Sequence, residues 1–203
     1  MRKVVVLGAS QCGKSSLIRR LAENSFAPAE QPTVGLNVVI LADNTQLWDA
    51  SGQPRYGSLI ATSLCGAQAI ILCYNIVNRA SFVEVEEHWL PKLHAECNAS
   101  IYLVGTHLDC DVRGRQVTMQ DVSTLIATYG IKHFSECSAR DDIGIKHIRE
   151  FIAAVVVAVA EVSCDAEDQH QSPRPLLKAA SRTGYWCCFA GRPSLADGEE
   201  IEL

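Results

Sequence analysis

The sequence predicts an α/β fold built on a mainly parallel β-sheet. Apolar runs of strand length alternate along the chain with segments whose apolar residues recur at helical spacing. The runs are almost continuously hydrophobic, which is typical of strands that helices cover on both faces. Because there are six such runs, we expect a three-layer α/β/α domain around a six-stranded sheet.

The predicted strands are the most apolar runs of the sequence. They are Arg2–Leu7, Gly35–Leu41, Gln46–Trp48, Ala69–Tyr74, Ile101–Val104 and His133–Ser135. Asp43 and Asn44 separate the second run from the third and favour a hairpin turn. We therefore expect these two strands to form the one antiparallel pair of the sheet.

The predicted helices carry apolar residues three and four positions apart. They are Lys14–Asn24, Gly57–Leu64, Arg79–Glu96, Thr118–Tyr129 and Ile143–Val162. Thr118 and Asp121 have the spacing of a capping box at the start of the fourth helix. Pro91 lies inside the third helix and predicts a kink or a break there.

Length and composition limit the class of protein. The chain of 203 residues fits one domain, residues 1–162, followed by a flexible tail, residues 163–203, that lacks sustained periodicity. A net charge of −5 argues against a nucleic-acid binder. Nine cysteines without a C-x-x-C pair indicate a reducing, cytoplasmic setting rather than a disulfide framework. We expect no signal peptide, and no apolar run reaches the ~18 residues of a membrane span.

The segment from Gly8 to Ser15 has the pattern G-x-x-x-x-G-K-S of a phosphate-binding loop, or P-loop. It lies between the first strand and the first helix, whose positive end would face the phosphates. Lys14 is expected to reach the β- and γ-phosphates, and the Ser15 hydroxyl to bind Mg²⁺. The expected phosphate-contacting residues are Gly8, Ser10, Gln11, Cys12, Gly13, Lys14, Ser15 and Ser16. The fold class is therefore that of a P-loop NTPase.

Residues at the ends of other strands extend the predicted site. Asp49 ends the third strand and can hold Mg²⁺ through water, while Gly52 can present its N–H to the γ-phosphate. Gln53 can orient the attacking water, and the upstream Thr33 can complete the magnesium shell. We assign metal binding to Ser15, Thr33 and Asp49, and catalysis to Gln53, Lys14 and Gly52.

Two further segments indicate the base. The Asp109 carboxylate can accept hydrogen bonds from N1 and N2 of guanine, which adenine does not offer in that arrangement. Small residues after the last strand allow backbone N–H groups to approach the base. The expected base-site residues are Thr106, His107, Asp109, Ser138, Ala139 and Arg140.

Taken in order, these motifs resemble those of Ras-superfamily small GTPases over residues 2–162, and most of all the Rab family. Trp48–Gln53 reads W-D-A-S-G-Q, similar to the Rab W-D-T-A-G-Q. Arg55–Leu59 is similar to R-Y-R-S-L, and Tyr74–Phe82 resembles the Rab Y-D-I-T-N-x-x-S-F. Ser10 in the phosphate loop is also Rab-like.

The resemblance implies a GTP/GDP switch with slow GTP hydrolysis that regulates vesicle and membrane traffic. It also implies that Phe26, seven residues before Thr33, packs against the guanine. Effectors, exchange factors and GTPase-activating proteins would bind near residues 26–64. The implied location is the cytoplasm, with peripheral binding to endomembranes.

Several residues depart from the family pattern. Thr106 and His107 stand where the guanine motif usually has Asn and Lys, so we expect weaker affinity and faster nucleotide exchange. Ser51 replaces an alanine inside the motif that carries Gln53, and Pro54 directly follows Gln53, so nucleotide binding is better supported than hydrolysis. Cys12 is read as a small packing residue rather than a redox switch.

The tail lacks the terminal cysteines that Rab proteins prenylate. Cys188 lies fifteen residues before Leu203 and directly follows Cys187, and the pair stands among basic and aromatic residues. That setting is compatible with S-acylation at a membrane surface, and also with a chance apolar patch in a flexible tail.

Two other functions are compatible with these residues. One is a guanine-nucleotide-binding pseudo-GTPase that acts as a scaffold with little or no hydrolysis. Ser51, Pro54 and the hairpin of the second and third strands, which is shorter than is usual in the family, favour it. The other is a P-loop enzyme that uses ATP, which Asp109 and the lack of a lid or substrate domain disfavour.

Overall fold

The computed structural model of the chain describes residues 2–28 and 31–164. Within them, six strands form one sheet in the order β2-β3-β1-β4-β5-β6. The strands are β1 (Arg2–Gly8), β2 (Leu36–Ile40), β3 (Thr45–Ala50), β4 (Ala69–Asn75), β5 (Ser100–Thr106) and β6 (His133–Glu136). The predicted tail from residue 165 onward, with Cys187 and Cys188, lies outside the described residues.

Seven α-helices occur in the described part of the chain. They are α1 (Lys14–Glu23), α2 (Gly57–Leu64), α3 (Arg79–Glu84), α4 (Leu90–Glu96), α5 (Asp111–Gly114), α6 (Met119–Tyr129) and α7 (Ile145–Cys164). No helix among the described residues is long and apolar enough to cross a membrane.

The sheet is parallel except for the β2–β3 hairpin, as the sequence predicted. Asn44 has a positive φ of 63° in the turn, and the Asp43 Oδ1 accepts a hydrogen bond from the Thr45 N–H at 3.0 Å. Short polar side chains tolerate that left-handed conformation and bond their own backbone, which is why this dipeptide closes the hairpin.

Both faces of the sheet are covered, which confirms the three-layer fold. Side chains alternate along β1, so Val4 and Val6 pack in one apolar cluster with α1 and α7, while Val5 and Leu7 pack in a second. The second cluster contains apolar residues of α2, α3, α4 and α6. The near-continuous hydrophobicity of the strands therefore reflects two separate cores, one on each side of the sheet.

The predicted helix Arg79–Glu96 is interrupted. A π-helical turn, Val85–Trp89, separates α3 from α4, and Pro91 stands in the first turn of α4. Proline lacks an N–H and its ring collides with the carbonyl four residues earlier, so the regular α-helical ladder cannot pass through it. The expected interruption is confirmed, and it takes the form of a change in helix type.

Other boundaries shift slightly. The capping box is confirmed, because Thr118 and Asp121 exchange side-chain-to-backbone hydrogen bonds and the helix itself begins at Met119. The last helix begins at Ile145 rather than Ile143, because Ile143 pairs with Ser138 in an isolated β-bridge. Helix α5 was not predicted, since four residues carry too little periodicity to detect.

Candidate functional site

A cleft of about 360 Å³ lies where β1, β3, β5 and β6 end, at the carboxyl edge of the sheet. Parallel sheets bind ligands at this edge, beside the point where the strand order reverses. The structure brings most of the predicted site residues to this cleft: Ser10, Gln11, Gly13, Lys14, Ser15, Ser16, Phe26, Thr33, Gly52, Gln53, Thr106, His107, Asp109, Ala139 and Arg140.

Four predicted residues are not among those that line the cleft: Gly8, Cys12, Asp49 and Ser138. Cys12 is buried and its thiol points to the Cys73 carbonyl, with 3.5 Å between Sγ and O. Burial raises the pKa of the Cys12 thiol, which makes it unreactive. The prediction that Cys12 is a packing residue is therefore correct, and its assignment to nucleotide contact applies at most to its backbone.

The phosphate loop turns tightly between β1 and α1. Gly8 has a φ of 135°, and a Cβ there would collide with the Cys73 carbonyl, so only glycine fits. The Lys14 side chain is buried, and its Nζ donates hydrogen bonds to the carbonyls of Gly8 and Ala9 at 3.0 and 2.6 Å. The loop thus holds a buried cation at the N-terminal end of α1, which is a favourable place for an anion.

Gly52 packs directly on this loop. A Cβ at Gly52 would stand 2.5 Å from the Ser10 nitrogen and 2.6 Å from the Gly8 oxygen. Its backbone can approach the loop only because it has no side chain, which places the segment after β3 against the phosphate loop.

The three residues assigned to the metal converge. The Ser15 Oγ donates to the Asp49 Oδ2 at 2.6 Å, and the Thr33 Oγ1 lies 2.8 Å from the Ser15 Oγ and 3.3 Å from the Asp49 Oδ2. They come from α1, the loop before β2 and the end of β3. Through these contacts, Thr33 also holds the loop before β2 close to Ser15 and Asp49.

The Asp49 carboxylate is unusually placed for a charged group. It is 3% exposed, and its second oxygen, Oδ1, has no hydrogen-bond partner among the described residues. Burial raises the pKa of Asp49, while hydrogen bonds from Ser15 and Thr33 and the charge of Lys14 oppose that shift. Two hydroxyls and a carboxylate are the hard oxygen ligands that Mg²⁺ prefers, so this set of donors fits that ion.

Gln53 lines the cleft together with Gly52, the residue before it. Its backbone N–H lies 3.4 Å from the Ser51 Oγ, and its carbonyl accepts from the Tyr56 N–H at 3.1 Å. Pro54 begins the short 3₁₀ turn Pro54–Tyr56, where its missing N–H is not needed. The unusual Ser51 and Pro54 are thus accommodated by local turn structure.

Thr106 and His107 join the base end of the cleft to the phosphate loop. Thr106 is buried, and its hydroxyl lies 2.6 Å from the Cys12 carbonyl and 2.9 Å from the Tyr74 carbonyl. The His107 Nδ1 lies 3.0 Å from the same hydroxyl. A Cβ at Gly13 would stand 3.1 Å from the His107 ring, so the imidazole packs on the phosphate loop.

The Asp109 carboxylate is held by the loop after β6. The Ser138 hydroxyl donates to the Asp109 Oδ1 at 3.1 Å and accepts from the Asp141 N–H at 3.0 Å. The Cys110 thiol also donates to the Asp109 Oδ2 at 3.4 Å. The carboxylate is therefore oriented before any ligand binds.

Two groups of residues at this site were not predicted from the sequence. Arg20 of α1 holds the loop after β6, and nothing in its sequence context marks it, because it contacts residues more than a hundred positions away. The other group consists of cleft residues that lie close in sequence to predicted site residues: Leu17, Ala27, Pro28, Gln31, Pro32, Ser51 and Cys137.

Comparison with known proteins shows which family has sequences similar to this chain. The chain matches the model of the Ras family over residues 3–158. The protein "Ras-related protein Rab-3A" from Homo sapiens is 32% identical over 177 residues, which cover 83% of this chain and 79% of the relative. "Ras-related protein Rab-1" from Theileria annulata is 31% identical over 153 residues, covering 71% and 69%. "GTP-binding protein Rab-3D" from Rattus norvegicus is 30% identical over 182 residues, covering 85% and 78%. The chain therefore belongs to the Ras family and is a Rab-like small GTPase.

Proposed function

We propose that the cleft binds GTP or GDP together with Mg²⁺ and that the chain acts as a switch in membrane traffic, the general role of Rab proteins. The observation that carries this proposal is the convergence of Ser15, Thr33 and Asp49, with one buried Asp49 oxygen left unpartnered among the described residues. An unpartnered buried carboxylate oxygen is costly unless a cation or a donor compensates it.

Each residue of the phosphate end then has a role. Lys14 neutralises the β- and γ-phosphates, and the backbone N–H groups at the start of α1 complete the anion site. Ser15 and Thr33 would hold Mg²⁺, with Asp49 as its carboxylate partner. The ion supplies charge neutralisation for the transferred phosphoryl group.

Gln53 orients the attacking water in this proposal, while Gly52 presents its N–H to the γ-phosphate. Phosphoryl transfer needs positioning and charge more than covalent chemistry, so unassisted hydrolysis on the order of 10⁻⁴ s⁻¹ is expected. An activating protein would accelerate it by supplying an arginine.

The base end selects guanine through Asp109, whose carboxylate accepts from N1 and N2, with Phe26 beside the ring. The N–H groups near Ala139 complete recognition. Thr106 and His107 contact the phosphate loop, which supports nucleotide binding. They stand in place of the usual Asn and Lys of the guanine motif, so faster nucleotide exchange is proposed.

Partners are proposed to bind the surface formed by residues 26–64. Apolar side chains are exposed there, with Val34 at 75%, Ile40 at 56% and Leu59 at 42% exposure. Exposed apolar patches on soluble domains often mark interaction sites. Effectors, exchange factors and activating proteins are the expected classes of partner.

Peripheral membrane binding would depend on the tail, in which S-acylation of Cys187 and Cys188 is proposed. Thiol-cleavable lipid labelling of the full chain, lost in a double serine variant at these positions, is the expected result. Wild-type protein without label would refute acylation and leave the nucleotide site unaffected.

The test of the proposed function is to identify the nucleotide retained on the purified chain and to follow single-turnover GTP hydrolysis. We expect GDP or GTP to be retained, Mg²⁺ to slow its release, GTP to outcompete ATP, and Gln53→Leu to slow hydrolysis without loss of binding. Binding with no hydrolysis in wild type, even with an activating protein, would support the scaffold function, which the GTPase relatives do not favour. Preference for ATP would refute guanine recognition.

A further inference from the structure

The guanidinium of Arg20 binds three backbone carbonyls at the base end of the cleft. Its Nε donates to the Ala139 carbonyl at 2.7 Å, its Nη2 to the Arg140 carbonyl at 3.1 Å and its Nη1 to the Asn24 carbonyl at 2.8 Å. The side chain is 12% exposed. A planar guanidinium offers donors in fixed directions, so it fixes the directions of these carbonyls as well as their distance.

The carbonyl of Arg140 belongs to a peptide that is held from both ends. Its oxygen accepts from Arg20, and its N–H, which belongs to Asp141, donates to the Ser138 Oγ at 3.0 Å. The Ser138 hydroxyl in turn donates to the Asp109 Oδ1 at 3.1 Å. A continuous chain of hydrogen bonds therefore connects Arg20 with the carboxylate assigned to guanine.

The Arg20 guanidinium also holds the preceding peptide by its carbonyl, that of Ala139. In a trans peptide the C=O and N–H groups point in opposite directions. Because Arg20 binds the Ala139 carbonyl, the Arg140 N–H points away from Arg20. Ala139 and Arg140 line the cleft, where an acceptor on the base would meet the N–H side of this peptide.

We propose that Arg20 is a positioning residue for base recognition: it orients the peptides of residues 139–141 and, through Ser138, the Asp109 carboxylate. The inference rests on the proposed guanine-nucleotide function. It assigns to α1, which begins at the phosphates, a second role at the opposite end of the nucleotide. One helix would then couple the two ends of the cleft.

The experiment compares Arg20→Met with Arg149→Met. Methionine keeps an apolar stem and removes the donors. Arg149 of α7 is the matched control, because its Nη2 donates to the Arg20 backbone carbonyl at 2.9 Å and does not involve the Arg20 guanidinium. For each protein, release rates of GDP and IDP and the thermal unfolding midpoint are measured. IDP lacks the 2-amino group that Asp109 would bind.

We expect Arg20→Met to release GDP ~10- to 100-fold faster, in line with the loss of charge-assisted hydrogen bonds. Its preference for GDP over IDP should fall ~3- to 10-fold, because the Asp109 carboxylate is no longer oriented. Arg20→Lys should recover part of both effects, since one ammonium cannot reach all three carbonyls. Arg149→Met should keep the wild-type preference.

An unchanged GDP-over-IDP preference in Arg20→Met would overturn the inference, even if both nucleotides were released faster, because general destabilisation weakens both alike. Wild-type protein that binds no guanine nucleotide would instead refute the proposed function, so the two failures are distinguishable.

Discussion

The two ends of the cleft are built in different ways. At the phosphate end, backbone groups pack so closely that side chains are excluded, as at Gly52, and hydroxyls contact the Asp49 carboxylate directly. At the base end, a loop 119 residues from Arg20 is held by side-chain donors on backbone carbonyls. A glycine that close packing requires can be replaced by few residues, whereas one hydrogen-bond donor can be replaced by another. In keeping with this difference, the phosphate loop has the family pattern, whereas Thr106 and His107 stand where the guanine motif usually has Asn and Lys.

The strongest test of this comparison is Gly52→Ala. The new Cβ would overlap the backbone of the phosphate loop at 2.5 to 2.6 Å. We expect GTP hydrolysis to slow by ~100-fold or more, because a displacement of about 1 Å is enough for such a loss. The free energy of unfolding should fall by ~1–3 kcal/mol. Single-turnover hydrolysis and chemical denaturation measure the two effects.

Gly57→Ala is the control for that variant. Among the described residues, no atom outside its two chain neighbours and the backbone of its own helix lies within 4 Å of a Cβ at Gly57, the first residue of α2. Alanine should raise the free energy of unfolding there by ~0.4–1 kcal/mol. Similar losses in both alanine variants would show that the phosphate end is not limited by steric exclusion.

Asp49→Asn should separate stability from function at the phosphate end. Burial raises the folded-state pKa of Asp49 above its ordinary value of 3.8. Ionisation above that pKa therefore opposes folding of the metal-free chain at neutral pH. We expect the variant to unfold at an equal or higher temperature without Mg²⁺, and to lose ~10- to 100-fold in Mg²⁺-dependent GDP retention. A variant that keeps the full Mg²⁺ effect would remove Asp49 from the metal site.

The double variant Thr106→Asn/His107→Lys tests whether the base end can be exchanged. It restores the usual guanine motif, and we expect GDP release to slow by ~10-fold, about the contribution of one hydrogen bond. Stopped-flow release of a fluorescent GDP analogue from both proteins is the measurement. Equal release rates would contradict the expected faster exchange of the native chain.

The smallest expected effect concerns pH. Burial lowers the pKa of His107 below its ordinary value of 6.5, and the nearby Asp109 carboxylate partly opposes this. Because the pKa is lower in the folded state, the unfolded chain binds more protons than the folded chain just below pH 6.5. The contribution of His107 to folding stability is therefore lost as the pH falls through that window. We expect GDP release to accelerate ~2- to 5-fold across it, because a buried imidazolium packs poorly on Gly13.

His107→Gln is the control, since an amide retains hydrogen bonding without titrating over this range. Its release rate should change little with pH. The same acceleration in both proteins would assign the pH effect to a group other than His107.

Much of the fold was predictable from local pattern. The six strands, of which the first begins at Arg2 and the last at His133, were predicted because apolar runs of strand length are stable when helices cover both faces of the sheet. The hairpin turn at Asn44 and the cap at Thr118 were found because short polar side chains bond their own backbone. The interruption after Glu84 was only partly predictable: Pro91 indicated a defect, but not a π turn.

The candidate site was predictable where its residues form motifs and not where packing alone joins them. Lys14 and Ser15 lie in one short segment whose chemistry follows from its letters. No pattern marked Arg20, and none indicated that Ser138 would connect Asp141 with Asp109. These contacts exist because β6 ends, and α1 begins, at the carboxyl edge of the sheet.

The sequence by itself determined the layered α/β fold, the phosphate loop and the order of the motifs, because periodicity and glycine placement act through neighbouring residues. Only the tertiary structure decided which groups meet: the buried Asp49 carboxylate beneath two hydroxyls, the His107 ring on the phosphate loop and the Arg20 guanidinium behind the base. Such contacts depend on how strands pair and helices pack across long sequence separations, and no local pattern carries that information.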